Sequence, residues 1–599
     1  MNQKSIEEDV IQGFFDFKVL GRLIGYLKPY KKQVALAILL AAAVSAINVG
    51  LPIILKTTVD DYVLNDNLGI HQRRSGILNM SLLFFALLCF YFALNYIQVY
   101  LLNWTGQHTM ADLRDQVFRH FQQLRMTFFD NNPIGRLVTR NTNDIQALNE
   151  MYSQVLIYFV KDLLTILGIL AVCFFYSVHF GLFMTGVLLI ILLATALFNW
   201  KVTPFYRAYR VILAKINSAL AEYISGMRII QLFHQEKRIK GQFTGLNDDF
   251  AGAWRSLAHI NIIYRPFMGL LRFASMAMVL WFVGGRILAN QLTLGELAAF
   301  LAYLERFFHP IFHMTERVDI LKSAIASAER IFRLLDQKEF IDRPKTPVTP
   351  ERFVPAIAFK DFWFSYDNKQ WVLKDVSFSV APGERVAIVG PTGAGKTSII
   401  SLVLRFYEYQ RGDILLNGTS IRDLDLPFLK RHLSYVMQDV YLFSGSLRDN
   451  LLFGLSDVSD QHILEVCRRV QLDGLLATLP QGLDTPVKEG GRTFSYGEKQ
   501  LISFARALLN DPELIILYEA TANIDSRTEH LIQLAIEELL KGRTAVVIAH
   551  RLSTIQHSDK ILVIHQGRLV EQGKHQELIE RKGLYYKLYK LQTTNARPA

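Results

Sequence analysis

Six stretches, at roughly 33–57, 77–101, 155–176, 179–200, 266–289 and 293–315, are each apolar over the ~20 residues that an α-helix needs to cross a bilayer. That pattern commits the first half of the chain to membrane-spanning helices. The composition agrees, since 51% hydrophobic and 20% charged residues exclude disorder and coiled coil. Short and long connections alternate. Val178 and His179 barely separate the third and fourth spans, whereas about 50 to 65 residues follow the second and the fourth. The long connections are basic: Arg114, Arg119, Arg125, Arg136 and Arg140 lie in one, and Lys201, Arg207, Arg210, Lys215, Arg228, Lys237, Arg238, Lys240, Arg255 and Arg265 in the other. Both therefore read as cytoplasmic, which places the N-terminus and the C-terminal half there too. The helical period continues through these connections, so the helices are expected to project beyond the bilayer.

Residues 1–16 carry Glu7, Glu8 and Asp9, unlike a secretory signal or an Arg-rich transit peptide. Phe14 to Tyr30 mixes Phe14, Phe15, Phe17, Leu20, Leu23, Ile24 and Leu27 with Lys18, Arg22 and Lys28, as in a helix lying along the membrane surface. Polar residues also fall within the spans: Asn48, Asn95, Gln98, Arg272, Glu305, Arg306, His309 and His313. Such groups face a partner helix or a water-filled cavity. The plainer reading is a helix-to-helix hydrogen bond, with Arg272 and the sixth-span group as candidates for substrate contact. Three cysteines, Cys89, Cys173 and Cys467, are too few and too far apart for a disulfide framework. The net charge of +11 follows membrane topology instead of forming a basic stripe, so no nucleic-acid partner is expected.

After Leu335 the composition changes. Pro344, Pro347, Pro350 and Pro355 mark a linker, and from Ile357 short β-branched runs alternate with amphipathic helices, as in an α/β domain. The expected organisation is 1–32, N-terminus and interfacial elbow; 33–336, six-helix membrane domain; 337–356, linker; and 357–599, nucleotide-binding domain. Within the last stands Gly390-Pro391-Thr392-Gly393-Ala394-Gly395-Lys396-Thr397, a complete GxxxxGK[ST], preceded by the strand-like Arg385–Val389 and followed by a helix-like run from Ser398. Glycines allow backbone N–H groups to fold around phosphates, and the helix N-terminus adds a favourable dipole. Lys396 would neutralise the phosphates and Thr397 would hold Mg²⁺, so ATP and Mg²⁺ are the expected cofactors.

At this point the sequence resembles the ATP-binding cassette transporters of the exporter type, over nearly the whole chain. The resemblance implies a membrane α-helical fold of the type I/IV exporter class fused to an α/β P-loop NTPase. It implies that Tyr366 stacks on adenine and that Gln438 links the γ-phosphate and its Mg²⁺ to the membrane half. It also implies that Ser495 and Gly497, in Phe494-Ser495-Tyr496-Gly497-Glu498, are the phosphate-facing pair of the signature motif. Glu519 matches the catalytic base, Asp525 the D-loop aspartate and His550 the γ-phosphate contact. Phe128-Phe129-Asp130 through Pro133 and Glu222 through Phe233 resemble the two coupling regions. Cassettes in this family pair head to tail, so the expected partner is a second half-transporter, a different one in preference to a second copy.

Two departures stand out. The family's Walker B strand ends in Asp-Glu, whereas Leu514-Ile515-Ile516-Leu517 runs here into Tyr518-Glu519, and a phenol cannot supply the carboxylate that orders the Mg²⁺ water shell. Tyr496 and Phe494 also replace a signature glycine and leucine. Three explanations for Tyr518 stay open: a heterodimer with one weak site, an altered form of an active chain, or a tyrosine that packs at a strand end while Thr397 and Gln438 hold Mg²⁺. The expected activity is ATP-driven export of amphipathic small molecules, drugs or lipids, across a bacterial cytoplasmic (inner) membrane. The alternative is a weakly hydrolysing or non-hydrolysing regulatory subunit.

Overall fold

The computed structural model describes residues 17–289, 291–519, 526–549 and 552–595. The chain separates into two compact units, one comprising the residues up to Gln122 together with 134–337, the other comprising 123–133 together with the residues from Lys338 onward.

The first unit is helical. Its main helices are Lys31–Thr57, Ile70–Gln123, Ile157–Tyr176, Val178–Ser225, Glu236–Leu288 and Leu294–Leu335. At 1.5 Å per residue, a 54-residue helix such as Ile70–Gln123 is about 80 Å long against a hydrocarbon core of about 30 Å, so the expected extension beyond the bilayer is present. Among the described residues, five helical stretches are long and apolar enough to cross a membrane. The sixth expected span lies in Leu294–Leu335, which forms one continuous helix but is not among those five; it carries Glu305, Arg306 and His309. Only Ser177, in extended conformation with its hydroxyl accepting from Phe180 N–H, separates the third and fourth spans. Near the N-terminus Phe17–Gly25 is helical; its Leu23 is fully buried while Arg22 forks onto Asp336 at 2.7 and 2.8 Å.

Packing within this unit follows the rules for helices in lipid. Gly168 sits where an added Cβ would come within 3.0 Å of Val49, which lets two helix backbones approach closely. Phe180 and Phe300 stack at 3.9 Å, and the buried Tyr303 donates its hydroxyl to the Val49 carbonyl at 2.7 Å. At the end of the second long hairpin, Gly226 breaks the helix and the short helix Met227–Leu232 follows; Ile229, Leu232 and Phe233 are all exposed in this chain.

The second unit holds a six-stranded sheet with spatial order Arg568–Gly573, Lys560–His565, Arg385–Val389, Thr544–Ile548, Leu514–Tyr518, Leu433–Val436. All neighbours are parallel except the Arg568–Gly573 edge. Side chains alternate between two cores: Ile515 and Leu517 enter one, Leu514 and Ile516 the other, and Ala545/Val547 against Val546/Ile548 repeat the division. Both faces are thus covered, as a parallel sheet requires. A separate antiparallel sheet orders Leu373–Val380, Ile357–Phe364, Arg411–Leu416 and Thr419–Ser420. Because the central strands run the same way, the segments that follow Val389, Val436, Tyr518 and Ile548 emerge along one edge, where open α/β sheets bind ligands.

Residues 123–133 belong to this unit although they fall between membrane helices in sequence. Arg125 pairs with Asp342 at 2.5 Å, its N–H donates to Glu339 O at 2.9 Å, and the Tyr407 hydroxyl donates to Asp130 at 2.5 Å. Burial and the Asp130 hydrogen bond both raise the Tyr407 pKa. Tyr407→Phe deletes one hydrogen bond to a charged acceptor, an expected loss of about 1.5 kcal/mol read as a lower melting temperature of the purified chain, with Asp130→Asn adding little on top.

Candidate functional site

The phosphate loop connects Arg385–Val389 to the helix Lys396–Val403. At Gly390, with φ of 153°, a Cβ would lie 2.1 Å from the Ile564 carbonyl, so only glycine fits; Gly395, with φ of 102°, occupies the left-handed position that opens the helix. Thr392 and Thr397 are exposed, whereas Ala394 and Lys396 are buried. The Lys396 ammonium donates to the carbonyls of Gly390 at 2.7 Å and Pro391 at 3.0 Å, and Pro391 O also accepts from Ala394 N–H at 3.2 Å. The cation is therefore held at the mouth of its own loop, and burial lowers its pKa. Free first-turn N–H groups, a buried cation and an exposed Thr397 hydroxyl together fit a triphosphate with its metal.

Tyr366 is the aromatic neighbour of this loop. Its hydroxyl shares a hydrogen bond with Ser398 Oγ at 2.9 Å, and its half-exposed ring stands edge-on to Tyr407 at 4.9 Å and to Phe364 at 4.7 Å. The exposed face suits a stacked base. Tyr366 is thereby linked to the Tyr407 that holds Asp130.

Glu519 directly follows the strand Leu514–Tyr518, two strands from the phosphate-loop strand. It is 3% exposed, its N–H donates to Ile548 O at 3.1 Å, and its Oε1 accepts from Thr554 Oγ at 2.8 Å. Thr554 is 35 positions away and nothing in the sequence marked it. Strand alternation sets Tyr518 on the face of Leu514 and Ile516, where its half-buried ring packs against the core that also contains the phosphate-loop helix residues Ile399 and Ile400. A ring occupies the position where the family has an aspartate, and the Thr397 hydroxyl and the Gln438 amide are both exposed.

Ser495 caps the helix Tyr496–Leu509 through a capping box with Glu498, and the buried Gly497 leaves no room for a side chain, since a Cβ would meet Thr528 at 2.2 Å. The Tyr496 hydroxyl donates to the Gln438 carbonyl at 2.9 Å, and Gln500 Nε2 donates to the same oxygen at 3.1 Å. The substituted signature position thus ties the signature helix to the loop carrying Gln438, a contact that the motif alone did not reveal. Among the described residues no hydrogen bond joins Ser495 or Gly497 to the phosphate loop. Asp525 and His550 lie outside the described residues.

The sequence matches two family models: that of the ABC transporter transmembrane region over residues 34–311, and that of the ABC transporter over residues 373–522. The chain is 37% identical over 520 residues to the "Probable multidrug resistance ABC transporter ATP-binding/permease protein YheH" of Bacillus subtilis, covering 86% of this chain and 77% of that protein. It is 31% identical over 578 residues to the ATP-dependent lipid A-core flippase of Syntrophus aciditrophicus, covering 96% and 94%. Among solved structures, a bacterial Atm1-family ABC exporter with ATP bound is similar at a TM-score of 0.76 and 27% identity, covering 95% of this chain and 99% of that one.

Proposed function

The chain belongs to the ATP-binding cassette transporters of the exporter type, and from that premise we infer that it is one half of a dimeric, ATP-driven exporter of amphipathic small molecules, drugs or lipids. The observation that carries this reading is the segment 123–133. It is fastened into the ATP unit by Arg125 and Asp130, yet continues covalently into membrane helices at both ends, so a displacement of the ATP unit pulls directly on those helices.

In this mechanism the phosphate loop binds the nucleotide: Lys396 exchanges its two loop carbonyls for phosphate oxygens, while the N–H groups of the helix N-terminus donate to the remaining phosphate oxygens. Tyr366 holds the base. Glu519, fixed by Thr554, orients a water and takes its proton. When bound, Mg²⁺ supplies positive charge against the transferring phosphoryl group, with Thr397 and Gln438 as this chain's donors. Ser495 and Gly497 are assigned to the nucleotide on a companion's loop, which makes each site a product of two chains. Closure around ATP is then a population shift driven by tighter binding to the closed pair. Tyr518 and the altered signature favour a companion different from this chain.

We place the protein in a bacterial cytoplasmic membrane with both termini in the cytoplasm, and keep the organisation 1–32, 33–336, 337–356 and 357–599 as its domain plan. The second reading, a regulatory subunit that binds ATP without hydrolysing it, is favoured by Tyr518 alone. ATP-dependent accumulation of a fluorescent amphiphile in inside-out vesicles carrying this chain and its companion is the expected result. Vesicles that accumulate equal amounts with and without ATP refute the exporter reading.

A further inference from the structure

Two basic side chains lie inside the apolar spans with no carboxylate within ion-pair distance among the described residues. Lys161, on the third span, donates to Asn95 Oδ1 of the second at 3.2 Å and stands 5.7 Å from the ring centre of Tyr158 and 6.0 Å from that of Tyr91. Arg306, on the sixth, donates to the Asn48 side-chain oxygen at 2.7 Å and to the Asn48 backbone carbonyl on the first, and Tyr91 is among its electrostatic neighbours. Tyr91 is thus a neighbour of both cations. Asp162 is engaged by Arg317, and Glu305 is exposed and forms no ion pair with Arg306.

A basic group at the centre of a span is unfavourable by about 3 kcal/mol, and basic groups within spans are retained where something compensates them. A helix-to-helix amide bond satisfies one proton of the Lys161 ammonium and leaves two. Amides and tyrosines solvate a cation without cancelling its charge, and the same ring faces offer an apolar surface beside it. These are the parts needed to hold a molecule with an acidic head and an apolar body.

We propose that Lys161 and Arg306, with Asn95, Asn48, Tyr91 and Tyr158 around them, form the binding site for the acidic head group, carboxylate or phosphate, of an amphipathic cargo. The proposal rests on the exporter reading and narrows its substrate class to anionic amphiphiles.

The test uses the full transporter, this chain with its companion, in nanodiscs of phosphatidylcholine, titrated with three probes bearing one fluorophore: a fatty acid, a phosphatidylglycerol and a fatty alcohol. At least one acidic probe binds about tenfold or more tighter than the alcohol. Lys161→Gln and Arg306→Gln each remove most of that preference and leave alcohol binding unchanged, while Lys161→Arg keeps it. Preference for the fatty acid alone identifies a carboxylate cargo, for phosphatidylglycerol alone a phosphodiester cargo, and for both a site that reads charge only. Equal binding of all three probes by the wild-type protein, or an unchanged preference in both Gln variants, overturns the proposal. Should a Gln variant fail to assemble, the wild-type ranking decides. A transporter that closes on ATP but ignores head-group charge loses this inference and keeps the exporter reading; one that binds the acid but never responds to ATP does the reverse.

Discussion

Lys396→Ala is expected to weaken ATP binding by about 3 kcal/mol, roughly two orders of magnitude in Kd, because it removes the buried cation that the loop presents to the phosphates. That cation donates to the Gly390 and Pro391 carbonyls, so the substitution also takes this donor from the Gly390 carbonyl, while Pro391 O keeps the Ala394 N–H. Isothermal titration with a non-hydrolysable ATP analogue measures the loss, and a Kd within threefold of wild type contradicts the assignment. The same group sets a pH signature. Burial lowers the Lys396 pKa in the free site, and phosphate charge raises it in the complex. The Lys396 contribution to affinity is therefore constant while both states are protonated and falls as pH rises through the lowered value of the free site. Lys396→Arg, which stays protonated, abolishes that alkaline limb.

Tyr518→Asp is expected to raise ATP turnover of the assembled transporter on the order of 10²-fold at this site, by restoring a carboxylate beside Glu519 where the metal's water shell is ordered. The gain has a structural cost. The Tyr518 ring extends the core formed by Leu514 and Ile516, and replacing it with a charged group there lowers stability by about 1 to 2 kcal/mol, visible as a lower melting temperature. A large gain in turnover assigns the chain to the hydrolysing class, slowed by one residue. No gain, with ATP still bound, assigns it to the regulatory class, in which its cassette gates a companion.

How much of this was legible in the sequence depends on the range of the interactions involved. Short-range signals carried the fold: twenty-residue apolar runs gave the helices, β-branched runs gave the strands, and the glycine spacing of the phosphate loop required the backbone conformations found at Gly390 and Gly395. The sixth helix was harder to read, because Glu305, Arg306 and His309 dilute its apolar character while its partner helices supply the hydrogen bonds. Contacts between residues distant in sequence left no signal. Thr554 reaches Glu519 across 35 positions, Tyr407 reaches Asp130 across 277, and Lys161 meets Asn95 across 66. Tyr496 was visible only as a departure from the signature motif; its bond to the Gln438 carbonyl shows what that departure does locally. The assignment of 123–133 to the ATP unit is likewise a product of tertiary contacts and not of local composition.

The central claim is that ATP draws this cassette onto a companion's and that the resulting motion reaches the membrane helices. Pulsed spin-label distance measurement tests it most directly, with one label at the exposed Arg492 beside this chain's signature helix and the other near the companion's phosphate loop, in the reconstituted transporter. The account predicts a broad, long distribution without nucleotide and a narrow, short one with ATP, with Lys396→Ala and its counterpart in the companion together holding the long form. A distribution that is the same with and without ATP contradicts it.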